Sequence, residues 1–238
     1  MKNLSLSLAL CTALLFGGCD TNCVYPEGSV VEIEHELDSF SDVAINCSAD
    51  VILTQSKNKS STVTVETEEN IHELVKLKVV DDELVIDMEG CIRNSSGVTV
   101  YVSLPYIDVL EVNGSGDFST NGTFKQTESA FLTVGGSGDM KLQLKSTFVS
   151  ASIEGSGDIK LTGKTDTLLA SINGSGDIKA FKFPSNVATT MIDGSGDIEV
   201  KAKKKLDVFI DGSGDVKYKG SPKIESSIDG SGDLRKKD

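Results

Sequence analysis

The chain has 238 residues, a formal net charge of −13, no Trp, nine Phe and four Tyr. So acidic a chain has little with which to neutralise a phosphate backbone, which argues against a nucleic-acid partner. Val, Ile, Thr and Lys in alternation, with many Gly and Ser and only four Pro, favour strands over helices.

Residues 1–18 read as a targeting segment. After Lys2, residues 4–16 form an uncharged apolar run, too short to span a bilayer and of signal-peptide length. The run leads into Gly17-Gly18-Cys19, and two small residues before a cysteine resemble the lipobox of bacterial lipoproteins. That resemblance implies cleavage before Cys19 and lipidation of Cys19 (palmitate among the chains), the alternative being an ordinary secretory signal. Each methylene buried in a membrane adds about 0.8 kcal/mol, so several acyl chains anchor firmly. Residues 19–28 read as a tether.

Residues 29–111 read as an irregular β region. Alternation predicts strands over 30–36, 42–46, 50–55, 62–67, 74–80, 83–88 and 98–104, with a hairpin turn at Asp81-Asp82. An exported chain sits where disulfides persist. Of Cys23, Cys47 and Cys91, the preferred bridge is Cys47–Cys91, worth about 4 kcal/mol in the chain-entropy model. The alternative is three unpaired thiols. No CxxC pair suggests a zinc or redox site.

From residue 112 to 238 a repeat sets the architecture. Gly-Ser-Gly-Asp begins at Gly114, Gly136, Gly155, Gly174, Gly194, Gly212 and Gly230. An apolar residue stands two before each first Gly (Val112, Val134, Ile153, Ile172, Ile192, Ile210, Ile228). Another follows each Asp (Phe118, Met140, Ile159, Ile178, Ile198, Val216, Leu234). One such unit cannot bury its own apolar face, so the units must stack. The fold class predicted is all-β, a parallel β-helix (solenoid) with a less regular N-terminal β region, residues 29–238 forming one continuous domain. Coils would lie about 4.8 Å apart. A hairpin sandwich or barrel is the alternative. Glycine is expected for its access to positive φ and for close approach of coils.

Stacking would line up Asp117, Asp139, Asp158, Asp177, Asp197, Asp215 and Asp233. Carboxylates about 4.8 Å apart repel by roughly 0.9 kcal/mol even in water. Hydrogen bonds from turn amides and Ser hydroxyls would relieve this; the sharper alternative is a cation-binding ladder, with Ca²⁺ on carboxylate oxygens. Catalysis is not expected. The only histidines, His35 and His72, lie outside the repeats and read as surface residues, and no coil carries an odd carboxylate to serve as a tuned acid or base. The run Lys201, Lys203, Lys204, Lys205 reads as a solvated strand surface.

Several stretches together resemble the auto-transporter adhesin, head GIN domain family. They are Phe40-Ser41-Asp42-Val43-Ala44-Ile45, Ala49-Asp50-Val51-Ile52-Leu53-Thr54-Gln55, Thr62-Val63-Thr64-Val65-Glu66, the hairpin from Leu77 through Ile86, the strand from Val98 to Pro105, and Val112-Asn113-Gly114-Ser115-Gly116-Asp117. The resemblance covers most of the mature chain. It implies a right-handed β-helical fold and a location at the cell envelope, and much less about activity. The expectation is a non-enzymatic lipoprotein of the outer membrane that adheres or binds, its partners the membrane through its anchor and a glycan or protein surface. A periplasmic structural or signalling scaffold, and a polysaccharide-degrading enzyme, are the alternatives.

Overall fold

The computed structural model describes residues 23–57, 60–93 and 97–238. The leader over 1–18 and the lipidation position Cys19 lie outside the described residues. Strands follow one another almost without interruption: β1 (Val30–His35), β2 (Asp42–Ile45), β3 (Asp50–Gln55), β4 (Thr62–Glu68), a one-turn helix α1 (Glu69–His72), β5 (Val75–Val80), β6 (Glu83–Met88), β7 (Thr99–Leu104), β8 (Val109–Val112) and β9 (Phe118–Thr120). Then come β10 (Phe124–Lys125), β11 (Ala130–Val134), β12 (Met140–Ile153), β13 (Ile159–Ile172), β14 (Ile178–Ile192), β15 (Ile198–Ile210), β16 (Val216–Lys219), β17 (Lys223–Ile228) and β18 (Leu234–Lys236). No described helix is long and apolar enough to cross a membrane.

All eighteen strands hydrogen-bond into one continuous sheet wound as a parallel β-solenoid. Its first side stacks β6, β2, β8, β11, the second halves of β12 to β15, and β17. Its second side stacks β7, β3, β9, the first halves of β12 to β15, β16 and β18. At a third corner β10 pairs with the middle of β12. Each Gly-Ser-Gly-Asp turn joins the first side to the second.

The two apolar columns seen in the repeat face inward except in the last coil, where Ile228 is exposed and Leu234 only partly buried. Val112, Val134, Ile153, Ile172, Ile192 and Ile210 stack in register, and the column continues past the repeat through Ile45 and Ile86. Phe118, Met140, Ile159, Ile178, Ile198 and Val216 form the other, continued by Val51 and Val100. All of these are buried. A stack of Ile on Ile buries each methyl against its equivalent in the next coil, so the core is one column along the axis.

The chain does not build the stack in sequence order. Coil β2–β3 lies between β6–β7 on one flank and β8–β9 on the other. The boundary read at 111/112 therefore falls within a coil, where β8 runs straight into the first repeat turn. Three antiparallel pairings close this end: β5 on β6, β4 on β7, and β1 on β4. The β5–β6 hairpin turns at Asp81 and Asp82, both at positive φ, as the sequence predicted. Ile71 of α1 is fully buried beneath this cap.

Two expectations need correction. Cys47 does not pair with Cys91. Cys91 is bridged to Cys23, Cα to Cα 4.5 Å, and Cys47 keeps a free thiol. The reason is register: Cys47 sits at the turn after β2, where its Sγ donates to the Ile86 carbonyl at 3.7 Å, while Val24 forms a parallel bridge with Ile92 and draws Cys23 onto Cys91. The tether is shorter than read, since residues 23–28 are fastened to the body. Val24 N donates to Cys91 O, Glu27 N to Asn70 Oδ1, and Asn70 Nδ2 to Tyr25 O.

Candidate functional site

The seven repeat aspartates do line up, and an eighth, Asp50, heads the row. Each but the last, Asp233, accepts through Oδ1 the backbone amide of the aspartate one coil further on. The series runs Asp50 to Asp117 (3.1 Å), then Asp139 (2.8 Å), Asp158 (2.8 Å), Asp177 (2.8 Å), Asp197 (2.9 Å), Asp215 (2.8 Å) and Asp233 (2.9 Å). At this corner the main chain turns, and the aspartate amide has no carbonyl opposite it. The side-chain carboxylate of the coil before supplies the acceptor, which is why the motif ends in Asp. The motif serines face solvent and take no part in this row.

The charges are met along the same edge. Register places Lys141, Lys160, Lys179, Glu199, Lys217 and Arg235 in one column beside the aspartates, cationic at every coil but that of Glu199. Lys179 Nζ lies 2.5 Å from Asp158 Oδ2 and 3.4 Å from Asp177 Oδ2. Lys217 Nζ is 2.6 Å from Asp197, and Arg235 spans Asp233 and Asp215 at 2.6 and 3.5 Å. Burial by itself raises the Asp158 carboxyl, but the Lys179 ammonium and the Asp177 amide outweigh it and hold the group below its ordinary range. Asp197 is lowered in the same way: burial opposes, while Lys217, the Asp215 amide and Arg235 prevail. Among the described residues no group of three or more His, Cys, Asp or Glu is arranged to hold a metal ion. From Asp50 to Asp215 each Oδ1 is met by a main-chain amide, and Lys or Arg meets Oδ2 of Asp158, Asp177, Asp197, Asp215 and Asp233.

The motif glycines have one cause rather than the two expected. None lies at positive φ. A Cβ on Gly116 would stand 1.9 Å from the Ala49 carbonyl oxygen, and one on Gly176 1.9 Å from that of Gly157. Close stacking alone demands them. The same geometry exposes a further copy of the motif that the sequence reading missed, Ile45-Asn46-Cys47-Ser48-Ala49-Asp50-Val51. Gly114 rests on Cys47 and Gly116 on Ala49. Cys47 and Ala49 keep their Cβ atoms because the coil beneath them does not make the tight turn. Asn46 N bonds to Ile86 O and Asp50 N to Val98 O, carbonyls twelve positions apart in the chain, where the motif turn spans four, and Cys91 between them is bridged to Cys23.

The two histidines, read as separate surface residues, meet at the closed end. His35 of β1 and His72 of α1 stack with ring planes 8° apart and Nε2 atoms 3.2 Å from each other. One nitrogen must donate and the other accept, so one of the two is neutral at Nε2. Burial, and then the charge of His72, lower the His35 pKa.

Two further surface clefts lie away from the aspartate row. The wider, about 870 Å³, lies around Phe40, Ser41, Ser61, Pro105, Tyr106 and Gln126. The other, about 430 Å³, follows the third corner along Lys125, Lys145, Lys164 and Lys203.

The family model described as Putative auto-transporter adhesin, head GIN domain matches residues 39–222. The fold is similar to the crystal structure of a putative adhesin from Bacteroides fragilis, with a TM-score of 0.81 and 22% identity over 90% of this chain and 100% of that one. A putative adhesin from Parabacteroides distasonis gives a TM-score of 0.72 at 24% identity, covering 91% and 100%. A protein described as a putative lipid binding protein from the same species gives 0.73 at 25%, covering 90% and 99%. No curated protein matches the chain.

Proposed function

The chain belongs to the head GIN domain family of putative auto-transporter adhesins, and from that membership we propose that it is a non-enzymatic binding module of the cell envelope, held at the outer membrane by a lipid on Cys19. The observation that carries this reading is the bridge Cys23–Cys91. It needs an oxidising compartment, which an exported protein reaches. It also fastens the chain to the closed end of the stack four residues after Cys19. An anchor at Cys19 then leaves the long sides of the solenoid free to meet a partner. Regular ladders of equivalent coils suit a rigid display surface.

The test is protease treatment of intact cells beside a periplasmic control, with Cys19→Ser in parallel. Digestion on intact cells, and release of the variant from the membrane fraction, are the expected results. Protection until the outer membrane is opened would replace the adhesin reading with a periplasmic scaffold.

A further inference from the structure

We propose that the third corner of the solenoid is a binding groove for a linear polyanionic glycan, laid along the solenoid axis. This rests on the binding-module reading and names its ligand class.

Register carries the argument. Lys125 of β10 pairs with Lys145 of β12, and Lys145 with Lys164 of β13. These three ammonium groups stand one coil apart on the outer surface, and Lys203 lines the same groove beyond the irregular pairing of β14. All four side chains are exposed. Some cations elsewhere are matched: Lys76, Lys179, Lys205, Lys217, Lys223 and Arg235 each have a carboxylate partner, whereas Lys78, Lys141, Lys160 and Lys236 do not line this groove and stand without an ion pair among the described residues. Among the described residues Lys125, Lys145, Lys164 and Lys203 have none. A chain of net charge −13 thus keeps an unmatched row of positive charge along one edge. Like charges one coil apart repel, and a ligand with negative charges at a similar repeat relieves that repulsion at every step. The negative field of the rest of the molecule is screened beyond about 8–10 Å at ordinary salt, so a bound chain meets the row before the net charge.

The groove keeps a positive balance: its lining has four lysines and one carboxylate, Asp166, which accepts from Asn186 Nδ2 at 3.0 Å. The form of the groove selects a polymer. Its equivalent cations repeat along a line rather than converging on one point as a lone phosphate would need. It runs into the wider cleft through shared walls, Lys125 and Gln126. The hydroxyls of Ser146 and Thr147 along it donate to main-chain carbonyls, which leaves their oxygens as acceptors for sugar hydroxyls. At the wide end Tyr106 offers an aromatic ring. A lipid surface would call instead for large apolar side chains beside the cations, and the exposed Met191 and Phe209 lie in register with each other on the first side, not on this corner.

The experiment measures binding of polygalacturonate and chondroitin sulfate to the purified protein at 20 and 200 mM salt. Dextran serves as the neutral control and phosphatidylglycerol vesicles as the lipid arm. Binding of a polyanionic glycan that weakens with salt is expected. Lys145→Gln with Lys164→Gln should weaken it at least tenfold, while Lys78→Gln with Lys236→Gln, equal in charge but off the corner, should change it less than twofold. Absence of glycan binding at low salt, equal losses in both double variants, or binding to the vesicles alone would each overturn the proposal. Adhesion of cells carrying Lys145→Gln with Lys164→Gln at the wild-type level, with glycan binding lost, would sink this groove and leave the binding-module reading standing.

Discussion

Replacing Gly176 by Ala tests the stacking account directly. The added Cβ would lie 1.9 Å from the Gly157 carbonyl oxygen and 2.7 Å from its carbon, both main-chain atoms of the coil before. Ordinary contact begins near 3.4 Å, so the coils must part by about 1.5 Å at a corner where side chains cannot yield. Two bonds cross that gap: Asp177 N to Asp158 Oδ1 at 2.8 Å, and Ser175 N to Gly155 O at 3.0 Å. Losing both, at about 1 kcal/mol each, and adding about 1–3 kcal/mol for overpacking gives a loss of roughly 3–5 kcal/mol. For a chain of this length that is a fall in melting temperature of about 10 °C. Thermal unfolding followed by far-ultraviolet circular dichroism reads it. Ser175→Ala, at an exposed motif position, serves as the control and should stay within about 1 °C. A Gly176→Ala protein melting within about 2 °C of wild type would refute the claim that close stacking is what requires glycine.

Other expectations follow from the same geometry. Asp158 and Asp197, lowered in the fold, contribute stability that is full above the unfolded value of about 3.9 and is lost as pH falls through their folded values. Their side chains are 37% and 35% exposed, so each is worth under about 1 kcal/mol; Lys179→Met with Lys217→Met should flatten the drop in melting temperature between pH 5 and 3. His35, also lowered, stabilises above its unfolded value of about 6.5 and ceases to as pH falls through its folded one. His35→Gln should therefore remove part of the loss between pH 7.5 and 5.5, and an unchanged slope would show that the histidine pair is not what titrates. Cys23→Ser should cost up to about 4 kcal/mol and abolish any response of the melt to reductant; a wild-type melt indifferent to reductant would contradict the bridge. Because main-chain amides already occupy Oδ1 of Asp50 through Asp215, the melt should be the same in excess chelator and in millimolar calcium, and a calcium-dependent rise would return the row to the candidate cation sites.

The repeat made the solenoid legible, since seven identical turns with fixed apolar neighbours require equivalent environments. The inward columns, the strands of the N-terminal half and the Asp81–Asp82 hairpin were readable for the same reason: alternation reports which face is buried. What was hidden depended on order in space. Nothing in the local pattern says that β6–β7 slips beneath β2–β3, and the partner of Cys91 turns on that placement. The Cys47-Ser48-Ala49-Asp50 turn escaped notice because it lacks the glycines, which only its position at the edge of the tight stack permits. The meeting of His35 with His72 rests on the antiparallel cap, beyond the reach of any periodicity.

The displaced order of the first coils bears on how the protein comes into being. Coil β2–β3 has both its neighbours encoded later in the chain. While the polypeptide emerges from a ribosome, strands β2 and β3 have nothing to lie against, and the sheet has no floor until residue 104 is out. Contacts of that sequence separation form slowly. Once they exist, every further coil finds a finished template and needs only the eighteen to twenty-two residues of its own turn. Assembly would then be one slow founding event followed by quick, directional growth. A defect in the first hundred residues delays the whole molecule, whereas one near residue 230 touches only the last layer laid.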